Sequence, residues 1–299
     1  MNNNQLLSIV YITANRCEEL IRSIKSCQNH TTREFELVVV DNNSSDGTQT
    51  KVERYCKDNN IALNYTYLHE NTGVSHARNI GFQKASGDIL FFIDDDAVVV
   101  SDNNSLDLVC EYMRQNENIY SATGVSIDYR FEGVWRAMKA KGESTCDYYQ
   151  IKSFVGFNHF IKKAFTQRSF IYPDNLFYGS EELYMGLSVI KEGGKTIFIS
   201  DHIVKHNPSR NTRIDPYEGR KNGHINTYVI KKYFLPFPYN IVSTILFYIR
   251  MLRFTKLSFQ KTSECIRLAR ERYDSSYNNK MTISQINEVA KMFNFLKIV

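Results

Sequence analysis

Several things are scarce in this 299-residue sequence, and each shortage narrows what the chain can be. The six cysteines (Cys17, Cys27, Cys56, Cys110, Cys146, Cys265) form no C-x-x-C pair and no metal-site spacing, which argues against a zinc module and for a reducing compartment. No apolar run comes near the roughly 20 residues that span a bilayer. The longest strongly apolar stretch is Ile241 to Ile249, so no transmembrane helix is expected. The opening MNNNQLLSIVYIT has no basic region followed by a long apolar one, so no signal peptide is expected and the cytoplasm is the expected location. There is no internal repeat, no low-complexity linker, and only one tryptophan, Trp135. What is present is 42 % hydrophobic content, enough to fill a core, in a chain long enough for one large domain or two ordinary ones.

The formal charge of +5 conceals an asymmetry. Arg220 to Arg272 holds eleven Lys or Arg against Glu264 and Glu271, a local +9, so the remainder carries −4. A near-neutral body with a basic tail points to a polyanionic surface as partner.

The stretch DILFFIDDDAVV, Asp88 to Val99, organises the rest. Ile89 to Ile93 is too short for an ordinary helix and reads as a buried parallel strand. Three adjacent aspartates at its carboxyl end repel one another, so water must solvate them or a cation neutralise them. Oxygen ligands suit Mg²⁺ or Mn²⁺, and ligands of open α/β sheets bind beyond the carboxyl ends of strands. A solvated acidic loop is the plainer alternative.

Before that stretch, Ser8 to Thr13, Glu36 to Val40 and Ala62 to Leu68 read as strands, and Arg16 to Gln28, Thr48 to Asn59 and Val74 to Lys84 as helices. This β-α-β-α-β-α-β order calls for a mostly parallel sheet with helices on both faces. Beyond Val100, a helix over Leu106 to Gln115 and a strand over Ile119 to Ile127 precede an irregular stretch, Asp128 to Lys152. A strand over Ser153 to Lys162, a helix over Glu181 to Lys191 ended by Gly193-Gly194, and a strand from Lys195 to Ser200 leading to His206 complete the body. Polar clusters fall at strand ends or helix starts: Thr13 to Asn15, Asp41 to Thr48, His76 to Asn79, Asp94 to Asp96, Glu181-Glu182 and His206.

The order and spacing of SIVYITANR, ELVVVDNNSSDGT, ENTGVSHARNIGFQKASGDILFFIDDDA and YGSEELYMGLSVIKEGGKTIF resemble the inverting family 2 glycosyltransferases of the GT-A fold, over roughly residues 6 to 235. The resemblance implies a GT-A catalytic domain over 1–235, with 1–100 binding a nucleotide sugar and 101–235 the acceptor. Residues 236–299 would form a basic helical extension. It further implies a UDP- or dTDP-sugar donor held by Thr13, Asn15, Asp41, Asn43, Asp46, Arg78, Asp94 and Asp95, with Asp41 accepting from the N3–H of the base. The D-x-D pattern maps onto Asp94, Asp95 and Asp96, which gives Asp96 the direct metal contact, Asp94 the ribose and metal, and Asp95 the diphosphate. His206 stands where some members place a third metal ligand or a diphosphate contact. Glu181 and Glu182 match the acidic pair whose second member, usually aspartate, is the catalytic base, so Glu182 takes that role with one extra methylene.

Each assignment has a structural alternative. Asp41 caps a helix, Arg78 forms a surface ion pair, Glu181-Glu182 answers a helix dipole, and His206 is a surface residue. Two rival functions also stand. A nucleotidyltransferase would need a glycine-rich basic loop near the first strand, and TANRCEEL offers none. A sugar-nucleotide binder would keep Asp41 and Asp96 but need no base.

The tail mixes Ile241, Ile245, Leu246, Ile249, Met251 and Leu252 with Arg250, Arg253 and Lys256, a pattern that suits a membrane interface. Peripheral attachment through 239–272 at the inner face of a membrane is therefore expected, with a saccharide acceptor, lipid-linked or soluble. Packing on the body is the alternative. Nucleic acid is not expected, because the basic segment carries apolar bulk and no aromatic platform.

Overall fold

Repeated apolar residues at strand spacing build the first half of the molecule. The computed structural model describes residues 6–292 except 103, 129–132, 136–138, 145–147, 152, 153, 177, 178 and 208–214. Strands β1 (Leu7–Thr13), β2 (Phe35–Asp41), β3 (Ala62–Tyr67) and β4 (Ile89–Ile93) pair in the parallel order β3-β2-β1-β4. They alternate with α1 (Cys17–Gln28), α2 (Thr48–Asp58) and α3 (Val74–Lys84). Because strand side chains alternate, Ile9, Leu37 and Phe91 meet Leu20, Ile24 and Val52 of α1 and α2 on one face, and Val10, Val38 and Phe92 meet Phe82 of α3 on the other. All seven elements lie where the sequence pattern puts them, to within one or two residues at their ends.

Beyond β4 come β5 (Ala97–Val99), α4 (Ser105–Gln115) and β6 (Ile119–Asp128). The interval 128–152, read from sequence as irregular, begins with Asp128 at the end of β6 and contains β7 (Gly133–Trp135), β8 (Lys139–Ser144) and β9 (Tyr148–Ile151); its other residues lie outside the described ones, as does the Trp135 side chain. The strand expected from Ser153 is shorter: β10 spans Asn158–Lys162, preceded by a turn in which Asn158 N–H donates to the Val155 carbonyl at 3.2 Å. It runs antiparallel between β4 and β6, the one reversal in the middle of the sheet.

Helix α5 (Glu181–Lys191) and strand β11 (Lys195–His206) follow. The far end of β11 pairs antiparallel with β5, so that His206 lies opposite Ala97, the residue after the three aspartates.

The helices α6 (Pro216–Phe234), α7 (Tyr239–Phe254), α8 (Phe259–Glu271) and α9 (Ile283–Met292) complete the chain. Asp215 accepts from Tyr217 and Glu218 N–H and caps α6, with Pro216 at its first position. Helix α5 is buried on two sides: Met185 and Val189 pack toward the sheet, and Tyr184, Leu187 and Ile190 join Phe234, Met251, Cys265 and Ile286 of the last four helices. The acidic pair at its start is therefore held from both directions.

Candidate active site

The site is assembled at the carboxyl ends of β1, β2 and β4 and at the start of α5. After β4 the chain turns through Asp94, Asp95 and Asp96 into β5, and the β5–β11 pairing delivers His206 to them. Ligand atoms of Asp94, Asp96 and His206 all lie within 4.8 Å of one another. His206 Nε2 is 3.0 Å from Asp96 Oδ1, and its Nδ1 is 3.0 Å from Asp128 Oδ2, while its ring stacks on Phe157 at 4.5 Å. A carboxylate behind an imidazole fixes the ring's orientation and tautomer, as in many metal sites. Against the cost of burial, Asp96, Asp94 and Asp128 hold the proton affinity of His206 above its usual range.

The sequence asks what neutralises three adjacent aspartates, two of which prove buried, and the fold answers with side chains. Arg16, at the start of α1, donates to Asp95 at 3.0 Å and to Asp96 at 2.6 Å. Thr13 donates to the other oxygen of Asp95 at 2.8 Å. Burial raises the Asp95 carboxyl to about 7; Arg16 opposes the rise, and Asp96 adds to it. Asp96 is held below the usual range: burial acts against this, but His206 and Arg16 outweigh it.

The residues fit a divalent cation. Two carboxylates and one imidazole converge, and Oδ1 of Asp96 is buried without an aligned hydrogen-bond donor although His206 stands close by.

One buried arginine joins this cluster to the acidic pair. Arg78 projects from α3, donates to Asp94 at 3.1 Å and to the Gly156 carbonyl at 3.1 Å, and lies 3.6 Å from Glu181. It also sits over the Tyr172 ring at 5.7 Å. This is a buried ion-pair junction rather than a surface pair. Glu181 is buried, with Oε2 unpartnered, whereas Glu182 is half-buried as a residue, with its carboxylate end packed against Gly156. Burial pushes the Glu182 carboxyl up to about 8, the Glu181 carboxylate adds to the rise, and Arg78 opposes it. Ser180 precedes the pair in a left-handed conformation, φ 71°, which sharpens the turn into α5.

The other expected donor residues form the rim over β1 and β2. Asp41 is buried at the end of β2, where it accepts from Ser44 N–H at 2.8 Å and from the Tyr65 hydroxyl. Asn15 accepts from Ser45 N–H at 2.8 Å, which ties the loop after β1 to the loop after β2. Asn43 accepts from Tyr67 at 2.8 Å. Asp46 accepts from the N–H groups of Cys17 and Thr48, each at 3.2 Å, and so caps α1 and α2 together. The structure thus links Thr13, Asp94, Asp95, Asp96, His206, Arg78, Glu181 and Glu182 in one cluster, with Asp41, Asn15, Asn43 and Asp46 at the end of β2 and in the adjoining loops. His159 and His202 are core residues: His159 stacks between Phe92 and Phe154, and His202 bonds Ser105 and Asn158.

Sequence reasoning missed four contributors. Arg16 stood in the quoted TANR run, but nothing local aims it at aspartates eighty residues away. Asp128 behind His206 had no signal. Gly156 leaves room for the junction, since a Cβ there would lie 2.4 Å from Glu182 Oε1 and 3.0 Å from both terminal nitrogens of Arg78. Arg272, at the end of α8, donates to Asn226 at 2.8 Å and Asn222 at 2.7 Å, and Asn226 donates to the Gly179 carbonyl at 2.8 Å; this chain of bonds ties the tail to the turn before Glu181.

The chain is 35 % identical over 95 residues, 32 % of its length, to the GalNAc(5)-diNAcBac-PP-undecaprenol beta-1,3-glucosyltransferase of Campylobacter jejuni, of which that stretch covers 31 %. It spans less than a third of each of the first three curated relatives it matches. Among solved structures, GalNAc-T7 with UDP, GalNAc and Mn²⁺ superposes with a TM-score of 0.68 at 17 % identity, over 97 % of this chain and 57 % of that one. The mannosyltransferase PcManGT of Pyrobaculum calidifontis with GDP-Man and Mn²⁺ gives 0.62 at 17 % identity, over 97 % and 82 %. These likenesses establish a shared GT-A fold. The Glycosyl transferase family 2 pattern matches residues 8–184, well over half of the chain and the whole stretch from the first strand to the acidic pair, and the chain belongs to that family.

Proposed function

We propose that the chain is a metal-dependent inverting glycosyltransferase that moves a sugar from a UDP- or dTDP-sugar to a hydroxyl of a saccharide, in surface polysaccharide or glycoconjugate synthesis. Residues 1–235 are its catalytic body and 236–299 its extension. The observation that carries this reading is the buried Arg78 junction, which joins the Asp94 end of the cation cluster to Glu181 at the start of the acidic pair.

A Mn²⁺ or Mg²⁺ ion held by Asp94, Asp96 and His206 would spread the charge that gathers on the departing diphosphate. The other steps belong to side chains. Asp41, anchored by Ser44 and Tyr65, receives the N3–H of a uracil or thymine ring. Arg78 fixes Asp94 and lowers the electrostatic cost of two adjacent glutamates. Glu182, ionised, takes the proton of the acceptor hydroxyl as that oxygen attacks C1 from the side opposite the diphosphate. The C1–O bond breaks with its electron pair leaving on the diphosphate, and a single displacement inverts the anomeric centre. A base with a raised pKa suits this work, because proton transfer is most effective when the base titrates near the working pH.

The test is a panel of UDP-, dTDP- and GDP-sugars with and without Mn²⁺, read by melting temperature and then by transfer to saccharide acceptors. Metal-dependent stabilisation by a uridine or thymidine donor, followed by a product of inverted configuration, is expected. The retained anomer refutes inversion. Donor binding without any transfer or hydrolysis favours a sugar-nucleotide binder, and preference for a guanosine donor removes the role given to Asp41.

We place the chain in the cytoplasm at the inner face of a membrane, attached through 239–272, where a lipid-linked saccharide would be within reach. The basic charge of that segment supports this.

A further inference from the structure

Helix α7 is apolar on two opposite sides, and among the described residues one of them is buried and the other largely exposed. On the inner side Ser243, Phe247 and Met251 are buried, with Phe247 stacked on Tyr228 of α6 at 4.1 Å. On the outer side Ile241, Ile245 and Ile249, spaced four residues apart, are 49 %, 55 % and 42 % exposed, and Val242 flanks them. Beyond the two ends of the helix, Phe237 before it and Leu257 and Phe259 after it are also exposed, at 71 %, 69 % and 81 %. Scattered apolar residues on a surface are ordinary, but a continuous row marks a contact site. A second apolar face opposite the packed one asks for a partner of its own. No helix among the described residues is long and apolar enough to cross a membrane.

Charge identifies what covers this row. From Pro236 to Ser263 the chain holds Arg250, Arg253, Lys256 and Lys261 and not one Asp or Glu. The four cations are all exposed: Arg250 and Arg253 lie in the second half of α7, with Arg250 on the edge toward His224 of α6, Lys256 follows α7, and Lys261 lies in the first turn of α8. His224 of α6 feels the same field: its proton affinity is lowered, by burial first and then by Arg250 and Arg220. A second copy of this chain is a poor occupant, because a symmetric contact would set one cationic segment against another with no carboxylate between them. An anionic bilayer interface accepts both features at once, apolar residues at the acyl boundary and Arg or Lys at the phosphates.

We propose that α7 docks flat on an anionic lipid leaflet through Ile241, Val242, Ile245 and Ile249, with Phe237, Leu257 and Phe259 near its two ends and Arg253, Lys256 and Lys261 on the headgroup phosphates. This rests on the reading that the segment 239–272 attaches the chain to a membrane, and it names the face that does so. Sugar transfer is not involved in it. Each cation near such a surface contributes about fivefold in partition, and the term weakens with salt.

The test is sedimentation of the full chain with phosphatidylcholine vesicles containing phosphatidylglycerol, against vesicles of phosphatidylcholine alone, at low and high NaCl. Binding to the anionic vesicles that falls with salt is expected. The variant Ile245→Glu/Ile249→Glu should lose at least about tenfold in partition, and Arg253→Gln/Lys256→Gln should lose about as much with a shallower salt dependence. Because all four side chains are exposed, melting temperature and transfer to a soluble acceptor should stay unchanged. Wild-type binding that survives Ile245→Glu/Ile249→Glu overturns the face while leaving attachment by the segment standing. Absence of wild-type binding overturns both. Concentration-dependent dimerisation abolished by the same variant, without vesicle binding, gives the row to a second copy of the chain.

Discussion

Gly156→Ala places a methyl group where Glu182 and Arg78 meet. The Gly156 backbone lies outside the left-handed region, so alanine is conformationally acceptable and only space is contested. The new Cβ would sit 2.4 Å from Glu182 Oε1, and ordinary contact begins near 3.4 Å, so the carboxylate must retreat by about 1 Å. The Arg78 nitrogens, at 3.0 Å, need give only a few tenths of an ångström. Both neighbours are ends of flexible side chains, so the fold should absorb the change. A base displaced by about 1 Å costs on the order of 100-fold in rate, about 2.7 kcal/mol of barrier. The expected result is therefore a kcat loss near that size, with UDP affinity within about twofold of wild type and a melting temperature almost unmoved. Shortening the side chain should restore part of the loss, so Gly156→Ala/Glu182→Asp should turn over faster than Gly156→Ala alone. Initial-rate transfer kinetics and calorimetric titration with UDP measure both quantities. Wild-type turnover in Gly156→Ala would refute the placement of the base, as would a failure of the Asp variant to recover activity.

Three further outcomes are expected. Glu182→Gln should lose several orders of magnitude in kcat with donor affinity kept, and Glu181→Gln less, because Glu181 is the member 3.6 Å from Arg78; a reversed order of the two losses would move the base by one position. The raised pKa of Glu182 sets activity and stability against each other. Its folded-state pKa lies above its unfolded one, so its contribution to stability is complete below about 4.5 and lost as pH rises through about 8, while kcat/KM rises over that upper range as the base ionises. Melting curves and rates between pH 6 and 9 check this, and Glu182→Gln should flatten the stability slope; an unchanged slope removes the assignment. Asp96→Ala should abolish stabilisation by Mn²⁺ and also lower the melting temperature of the metal-free protein, because it leaves Arg16 and His206 each short of a partner, a loss on the order of 3 kcal/mol; a metal-free protein as stable as wild type would show that repulsion among the aspartates dominates.

The sequence by itself determined the sheet and its helices, because strand and helix periods in Ser8–Thr13, Glu36–Val40, Arg16–Gln28 and Val74–Lys84 are local properties of buried faces. It also determined the family and the list of candidate residues, since aspartates after an apolar strand and an acidic pair opening a helix are visible without coordinates. The antiparallel insertion of β10 was out of reach, because strand direction leaves no trace in a five-residue apolar run. So were the three strands within 128–152, where alternation is weak. The sign of the Asp96 effect shows the same limit: three neighbouring aspartates imply repulsion, and only the fold brings Arg16 from α1 and His206 from the end of β11 to reverse it. For α7 the sequence offered packing or a lipid surface as alternatives. The tertiary structure divided the helix, because Phe247 and Met251 are buried against the protein while Ile241, Ile245 and Ile249, on the opposite side of the same helix, remain exposed among the described residues.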